Sequence, residues 1–242
     1  MRVLVLRPEP AASRTAATLA ARGHETVLLP LSKAEHALDA VKTALAEPHA
    51  ALAITSAEAA RLLGRLGDGL TPHLATTVFA VGEASATAAR TIGFANVLSA
   101  NGDGEALAGL IAAHAARRDK SAQPILYLAG NPRAAGFETR LAATGIALHI
   151  VEAYRMVPLA PSRTETETAL LQPVPDAVLL YSRQSAHAFF ALPPLMEAAP
   201  GRFDAMRLLC MSANVAAAVP ARFTGRIAVA ATPDENGLLA LL

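Results

Sequence analysis

The chain has 242 residues, 53% hydrophobic and 4% aromatic, with no Trp, a single Cys and a formal net charge of +1. The apolar content excludes a disordered chain, and one cysteine excludes a disulfide framework or a Cys-based zinc site and fits a reducing compartment. With 21 Lys+Arg against 20 Asp+Glu, the balance argues against a nucleic-acid or anionic-membrane surface, because those partners select clustered positive charge. Read in order, short apolar runs alternate with Ala- and Leu-rich stretches of helical period. Strands are expected at Val3–Leu6, Thr26–Leu29, Ala51–Ile54, Val78–Val81, Ile125–Leu128, Leu148–Val151, Ala177–Leu180, Leu208–Met211 and Ile227–Ala230. Between them helices are expected at Ala11–Arg22, Glu58–Leu66, Ser85–Ile92, Gly104–Ala116, Gly136–Thr144, Gln184–Leu192 and Ala213–Val219, with a last turn near Gly237–Leu242. Gly23, Gly93 and Gly145 stand where C-terminal caps belong.

The opening MRVLVLRPEP is too short for a signal peptide, and no run of about 18 apolar residues suggests a membrane span, so a soluble cytoplasmic protein is expected. The strand–helix alternation is that of α/β domains built on doubly wound parallel sheets of flavodoxin-like type.

The chain is internally duplicated. Residues 3–29, VLVLRPEPAASRTAATLAARGHETVLL, align with residues 125–151, ILYLAGNPRAAGFETRLAATGIALHIV, at a constant offset of 122. AALAITSAEAARLL likewise resembles DAVLLYSRQSAHAF, and FAVGEASATAA resembles LCMSANVAAAV. Two βαβ units therefore alternate with two runs of strand–helix pairs, and one of each makes a five-strand domain. Sequence logic permits either tandem or crossed pairing. A tandem arrangement would place its boundary in the polar stretch Arg117–Gln123. The short, similar connectors Leu31–Leu38 and Glu152–Ala160 favour the crossed arrangement, with one discontinuous domain (1–32 plus 158–242), an inserted domain (38–152) and hinge connectors at 33–37 and 153–157.

Ligands of doubly wound sheets bind beyond the carboxyl ends of the strands, against helix N-termini. The residues there are Arg7-Pro8, Thr55-Ser56-Ala57, Gly82-Glu83-Ala84-Ser85, Gly130-Asn131-Pro132-Arg133, Tyr181-Ser182-Arg183-Gln184-Ser185 and Ser212-Ala213-Asn214. Singly, such hydroxyls cap helices in any protein of this class. Together they offer donors to a ligand with several carboxylates or phosphates, and Arg7, Arg133 and Arg183 can form bidentate pairs. The chain has no GxxxxGK[ST] phosphate loop and no GxSxG elbow, and its seven histidines lack metal-ligand spacing. His24 and His149, at strand starts, read as structural, and Cys210 reads as a small buried hydrophobe. Glu165 and Glu167 open a polar helix. Tyr154 falls in a connector, where a phenol would face an interdomain cleft and could donate a proton to a leaving oxygen.

The segments VLVLRPEP, LAARGHETVLLPL, ITSAEAARLL, FAVGEASATAARTIGF, GEALAGLI, LYLAGNPR, LAATGIALHIVEAYRM and YSRQSAHAF, in this order and spacing, resemble the uroporphyrinogen-III synthase family across essentially the whole chain. The resemblance implies two domains joined by a two-stranded connector, and a lyase reaction that needs no metal or organic cofactor. In that reaction linear hydroxymethylbilane loses its hydroxyl and closes through a spiro intermediate to uroporphyrinogen III, with the terminal pyrrole ring inverted. By the same resemblance Tyr154 matches the connector tyrosine that assists departure of the hydroxyl. Arg7, Thr55, Ser56, Ser85, Asn131, Arg133, Ser182 and Ser212 fall at substrate-binding positions. Ser85 stands where the family usually has Thr, and the second Gly-x-x-Thr-Ala motif is replaced by Ser212-Ala213-Asn214-Val215-Ala216. A monomer acting on the bilane, without nucleic-acid or membrane partners, is the expectation. A two-domain module that binds or senses an anionic ligand without catalysis is the alternative, and a twin-domain nucleotide-sugar transferase would be unusually small at this length.

Overall fold

A computed structural model describes residues 1–116, 123–199 and 201–242. The first half of the chain runs β1 (Arg2–Val5), α1 (Ala11–Ala21), β2 (Glu25–Leu28), β3 (Ser32–His36), α2 (Leu38–Ala46), β4 (Ala51–Ile54), α3 (Ala57–Gly64), β5 (Val78–Ala80), α4 (Glu83–Thr91), β6 (Val97–Ser99) and α5 (Gly104–Ala115). The second half runs β7 (Ile125–Asn131), α6 (Gly136–Ala142), β8 (Leu148–Pro158), α7 (Arg163–Leu171), β9 (Ala177–Leu180), α8 (Arg183–Phe190), α9 (Pro193–Met196), β10 (Arg207–Cys210), α10 (Ala213–Ala216), β11 (Ile227–Val229) and α11 (Glu235–Leu239). Short 3₁₀ turns occupy Gly67–His73 and Ala221–Arg226. Contacts divide the chain into two units, Met1–Lys33 with Val157–Leu242, and Ala34–Met156.

In the first unit the sheet order is β11-β10-β9-β1-β2, with each neighbouring pair parallel. Val3, Leu4 and Val5 in β1 and Val178, Leu179 and Leu180 in β9 are fully buried, because helices cover both faces of the sheet. One face packs on α7 and α8 through Leu170, Ala186, Phe189 and Phe190, the other on α1 and α11 through Ala12, Leu19, Leu238 and Leu239. Each fully buried Leu or Phe contributes roughly 1.5–3 kcal/mol.

The six-stranded sheet has the order β3-β8-β7-β4-β5-β6. Apart from β3 it repeats the order of the first unit, with β7-β8 standing for β1-β2 and β4-β5-β6 for β9-β10-β11. Leu52, Ile54, Leu126 and Leu128 pack with α2, α3 and α4 on one face, while Tyr127 and Phe79 pack with α5 and α6 on the other. The duplication extends to the caps: Gly23 and Gly145 end equivalent helices at φ 78° and 73°, a conformation costly for any residue with a Cβ.

The expected strands and helices are present with ends shifted by a few residues, and four differences have local causes. Two strands were not expected: β3 (SKAEH), which carries mixed polar residues at an edge, and β6, which is three residues long. Nor were the nine-residue α2, the four-residue α9 and the 3₁₀ turns. The helix expected over Ala213–Val219 is confined to Ala213–Ala216. Finally, β8 continues from the expected Val151 to Pro158, because its ladder with β7 runs on to Asn131↔Arg155. Of the polar stretch considered as a tandem boundary, residues 117–122 lie outside the described residues.

Candidate functional site

In the second unit the carboxyl ends of β4 and β7 open into a recess of about 450 Å³ lined by Thr55, Tyr127, Gly130, Arg133, Phe137 and Tyr154, among others. Thr55 ends β4, and its Oγ1 is 3.0 Å from the Tyr127 hydroxyl. Tyr127 itself is 1% exposed and meets Phe137 edge-on at 4.8 Å, so burial pushes its phenol above the ordinary value. Ser56 N-caps α3, its Oγ accepting the Glu58 N–H at 3.1 Å.

Tyr154, expected in a connector, lies in β8, the strand that runs on to Pro158; it is 9% exposed and part of the second unit's core. A bulge explains its aim. The register shifts between Ala129↔Glu152 and Gly130↔Tyr154, leaving Ala153 extra, so Ala153 and Tyr154 are buried in succession where a regular strand would alternate. The phenol lies over Gly130, where any Cβ would overlap its Cζ and hydroxyl and approach Cε2 to 2.9 Å. Burial pushes the Tyr154 phenol up; the Ser56 hydroxyl opposes that, the Glu58 charge adds to it and that of Arg61 subtracts.

The remaining positions in this unit have internal partners. Asn131 donates to Glu152 at 2.8 Å, and Arg133 is paired with Glu138. Ser85 is buried, 4% exposed, in the first turn of α4. In the first unit, Arg7 follows β1 and pairs with Glu235 at 2.9 Å, reaches the Thr15 hydroxyl at 3.2 Å and lies 4.1 Å over the Tyr181 ring. Tyr181 donates to the same carboxylate at 3.1 Å, and Thr15 also bonds it. Burial pushes Tyr181 to about 12, whereas the bonds from Thr15, Arg7 and Tyr181 outweigh burial and hold Glu235 below its ordinary value. Ser182 N-caps α8 in a capping box with Ser185, while Ser212 precedes α10 without a side-chain cap bond. Val215, where the motif would have Thr, is 5% exposed within the core, the counterpart of buried Ser85.

Thr55, Arg133 and Tyr154 thus share one recess, and Ser56 follows Thr55 as the N-cap of α3. Arg7, Ser182 and Ser212 follow the neighbouring strands β1, β9 and β10 of the other unit. Arg7 and Arg133, two of the arginines expected to be able to form bidentate pairs with a ligand, each hold a carboxylate of their own unit in this structure. Sequence reading placed Gly130 among the residues after the strands but missed Tyr127, Glu58, His36 and Glu235. A phenol inside the apolar run ILYLA, which needs a partner when buried, was a usable signal for the first.

Comparison with known proteins completes the picture. A family model described as uroporphyrinogen-III synthase HemD matches residues 13–240. No curated protein matches the sequence. Among solved structures, the chain is similar to the uroporphyrinogen-III synthetase of Helicobacter pylori 26695, with TM-score 0.64 and 17% identity over 100% of this chain and 98% of that one. A mutant uroporphyrinogen III synthase from the extremely thermophilic bacterium Thermus thermophilus gives TM-score 0.54 and 18% identity over 99% and 96%. At these identities the likeness is one of fold.

Proposed function

Because the chain belongs to the uroporphyrinogen-III synthase family, we propose that its buried Tyr154 is the group that assists loss of the bilane hydroxyl. The family reaction is a cofactor-independent dehydration and cyclisation of hydroxymethylbilane through a spiro intermediate to uroporphyrinogen III. A non-catalytic binding or sensor module is not favoured.

The chemistry asks two things of the protein. The terminal hydroxyl departs as water, so a proton must reach the leaving oxygen; a neutral phenol can supply or share it, and a positioned acid contributes about 10²–10⁴-fold. The bilane left to itself closes without inverting the last ring, so the chain must also be held in the conformation that brings the substituted α-carbon of that ring to the cation. Tyr154 can serve the first need because a phenol is protonated at neutral pH, and burial pushes that of Tyr154 further up. The observation that carries this reading is its place in the lining of the recess, over the bare Cα of Gly130.

Thr55, Ser56, Ser85, Asn131, Arg133, Ser182, Ser212 and Arg7 are proposed as substrate-binding residues that offer donors to the octacarboxylate bilane. The net charge of +1 fits local hydrogen-bond donors better than broad electrostatic capture. The same reading takes 1–32 with 158–242, and 38–152, as two domains joined at 33–37 and 153–157, and the protein as a cytoplasmic monomer. No helix among the described residues is long and apolar enough to cross a membrane.

The test supplies hydroxymethylbilane generated in situ and resolves the product isomers. Isomer III from the wild type and a slower rate from Tyr154→Phe, with an unchanged thermal melt, are expected. Isomer I alone from folded protein overturns the activity, and an unchanged rate in Tyr154→Phe removes that residue from the chemistry.

A further inference from the structure

Thr55 and Tyr127 meet across the ladder of β4 and β7. Ala53 pairs in register with Tyr127, and Thr55 follows two residues on, on the same face of the sheet. The two side chains reach the carboxyl end of the sheet together, Thr55 Oγ1 3.0 Å from the Tyr127 hydroxyl, and both line the recess. The duplication of the chain supplies an internal control. At the offset of 122, Val5 holds the place of Tyr127 in the first unit, and it is fully buried in an apolar cluster. Packing at this position therefore asks for no hydroxyl. The Tyr127 ring has its own apolar contact, edge-on to Phe137, so its oxygen has to be accounted for by something other than fit.

Two hydroxyls in contact carry two protons, and one of them lies between the oxygens. Tyr127 is 1% exposed, and among the described residues Thr55 Oγ1 is the hydrogen-bond partner of its hydroxyl. A buried phenol proton without an acceptor is costly, and a phenol is the more acidic and so the stronger donor of the two. Tyr127 therefore donates and Thr55 accepts. The Thr55 proton is left to point away from Tyr127, on a half-buried residue at the wall of the recess. Neighbouring groups in that wall are already engaged: Arg133 is paired with Glu138, and the Asp103 carboxylate caps α5, accepting from the Glu105 and Ala106 N–H groups at 3.0 Å. The backbone beside Thr55 is held as well. Ser56 accepts the Glu58 N–H, and the Glu58 carboxylate, 2.7 Å from His36 Nε2, ties the first turn of α3 to β3. In the first unit the counterpart of Thr55 is Tyr181, whose proton goes to Glu235.

We propose that Tyr127 is a positioning residue for substrate binding: by donating to Thr55 it turns the Thr55 proton into the recess, toward a carboxylate of the bilane. The proposal rests on the reading of Thr55 as a substrate-binding residue and says what sets the direction of its hydroxyl.

The experiment is a double-mutant cycle on the full chain in the isomer-III assay, with KM and kcat resolved for Tyr127→Phe, Thr55→Val, Thr55→Ser and the two combinations. Thr55→Val removes the hydroxyl and should raise KM about tenfold, the size of one hydrogen bond to a carboxylate. Tyr127→Phe keeps the ring but leaves the Thr55 hydroxyl free to turn, and should raise KM about threefold with kcat changed far less. Thr55→Ser should recover most of what Thr55→Val loses. Tyr127→Phe should then raise KM again by about threefold in the Thr55→Ser background and not at all in the Thr55→Val background. A rise of the same size in the Thr55→Val background, or a KM unmoved by Tyr127→Phe where Thr55→Val raises it, overturns the proposal. A KM unmoved by Thr55→Val overturns the reading of Thr55 as a substrate contact, and the proposal with it. A second readout is free of turnover: the Tyr127 hydroxyl proton, identified in the NMR spectrum by its absence from Tyr127→Phe. It should exchange slowly with water and move upfield in Thr55→Val but little in Thr55→Ser. A missing slow hydroxyl, or one unmoved in Thr55→Val, overturns the donation from Tyr127.

Discussion

Replacing Gly130 by alanine puts a methyl group where the Tyr154 ring carbon Cζ and hydroxyl already are, with Cε2 2.9 Å away. The ring has little room to yield, since Tyr154 is 9% exposed and packed in a core with Leu126, Leu128 and Ala153. Nor can the backbone slip, because Gly130 is paired across the ladder with Tyr154 itself and its neighbours are paired to either side. Forcing a methylene-sized group into such a site costs about 1–3 kcal/mol. The second unit should lose several degrees in Tm. The phenol must also leave its place by roughly the overlap it relieves, about 1 Å, a displacement that can cost on the order of 10²-fold in rate. The assay is a thermal melt with isomer-III formation measured in parallel. Combining Gly130→Ala with Tyr154→Phe removes one of the overlapped atoms, so the double variant should melt above Gly130→Ala while staying slow. A Gly130→Ala protein with wild-type Tm and rate would refute the placement of Tyr154 over residue 130.

In the first unit, Arg7→Ala should destabilise through its lost stacking on Tyr181 and the lost pair with Glu235. Because that carboxylate is 39% exposed, solvent screening limits the pair to about 1 kcal/mol in a double-mutant cycle with Glu235→Ala. Glu235 is held below its ordinary value of 4.5 in the folded protein, so its stabilising contribution is complete above that value and is lost as pH falls through the lower folded value. The Tm difference between wild type and Glu235→Gln should therefore shrink as melts are taken from about pH 7 to about pH 3. Ser182→Ala removes a capping box and should cost about 1 kcal/mol in denaturant titrations, whereas Ser212→Ala, which loses no cap bond, should cost far less. Cys210, fully buried with its thiol pushed to about 11, should resist thiol reagents at pH 8 until denaturant exposes it.

The alternation of strands and helices, the duplication and the capping glycines were legible from residue order, because periodicity, helix propensity and the φ > 0 demand at Gly23 and Gly145 are properties of short segments. So was the cluster of hydroxyls after the strands, since a helix start advertises its cap. What residue order left open is pairing over long range. It allowed the first βαβ unit two partners, and only the hydrogen bonding of β1 to β9, 174 residues further on for Val3↔Ala177, excludes the tandem choice for that sheet. The same holds at the recess. The burial of Tyr154 follows only from the bulge opposite Gly130, and the pairing of Arg7 with Glu235 only from a contact with the far end of the chain. Local chemistry is written in neighbours along the chain. The register of a sheet and the partner of a buried charge are settled by which surfaces must be dry together, and that is a property of the folded whole.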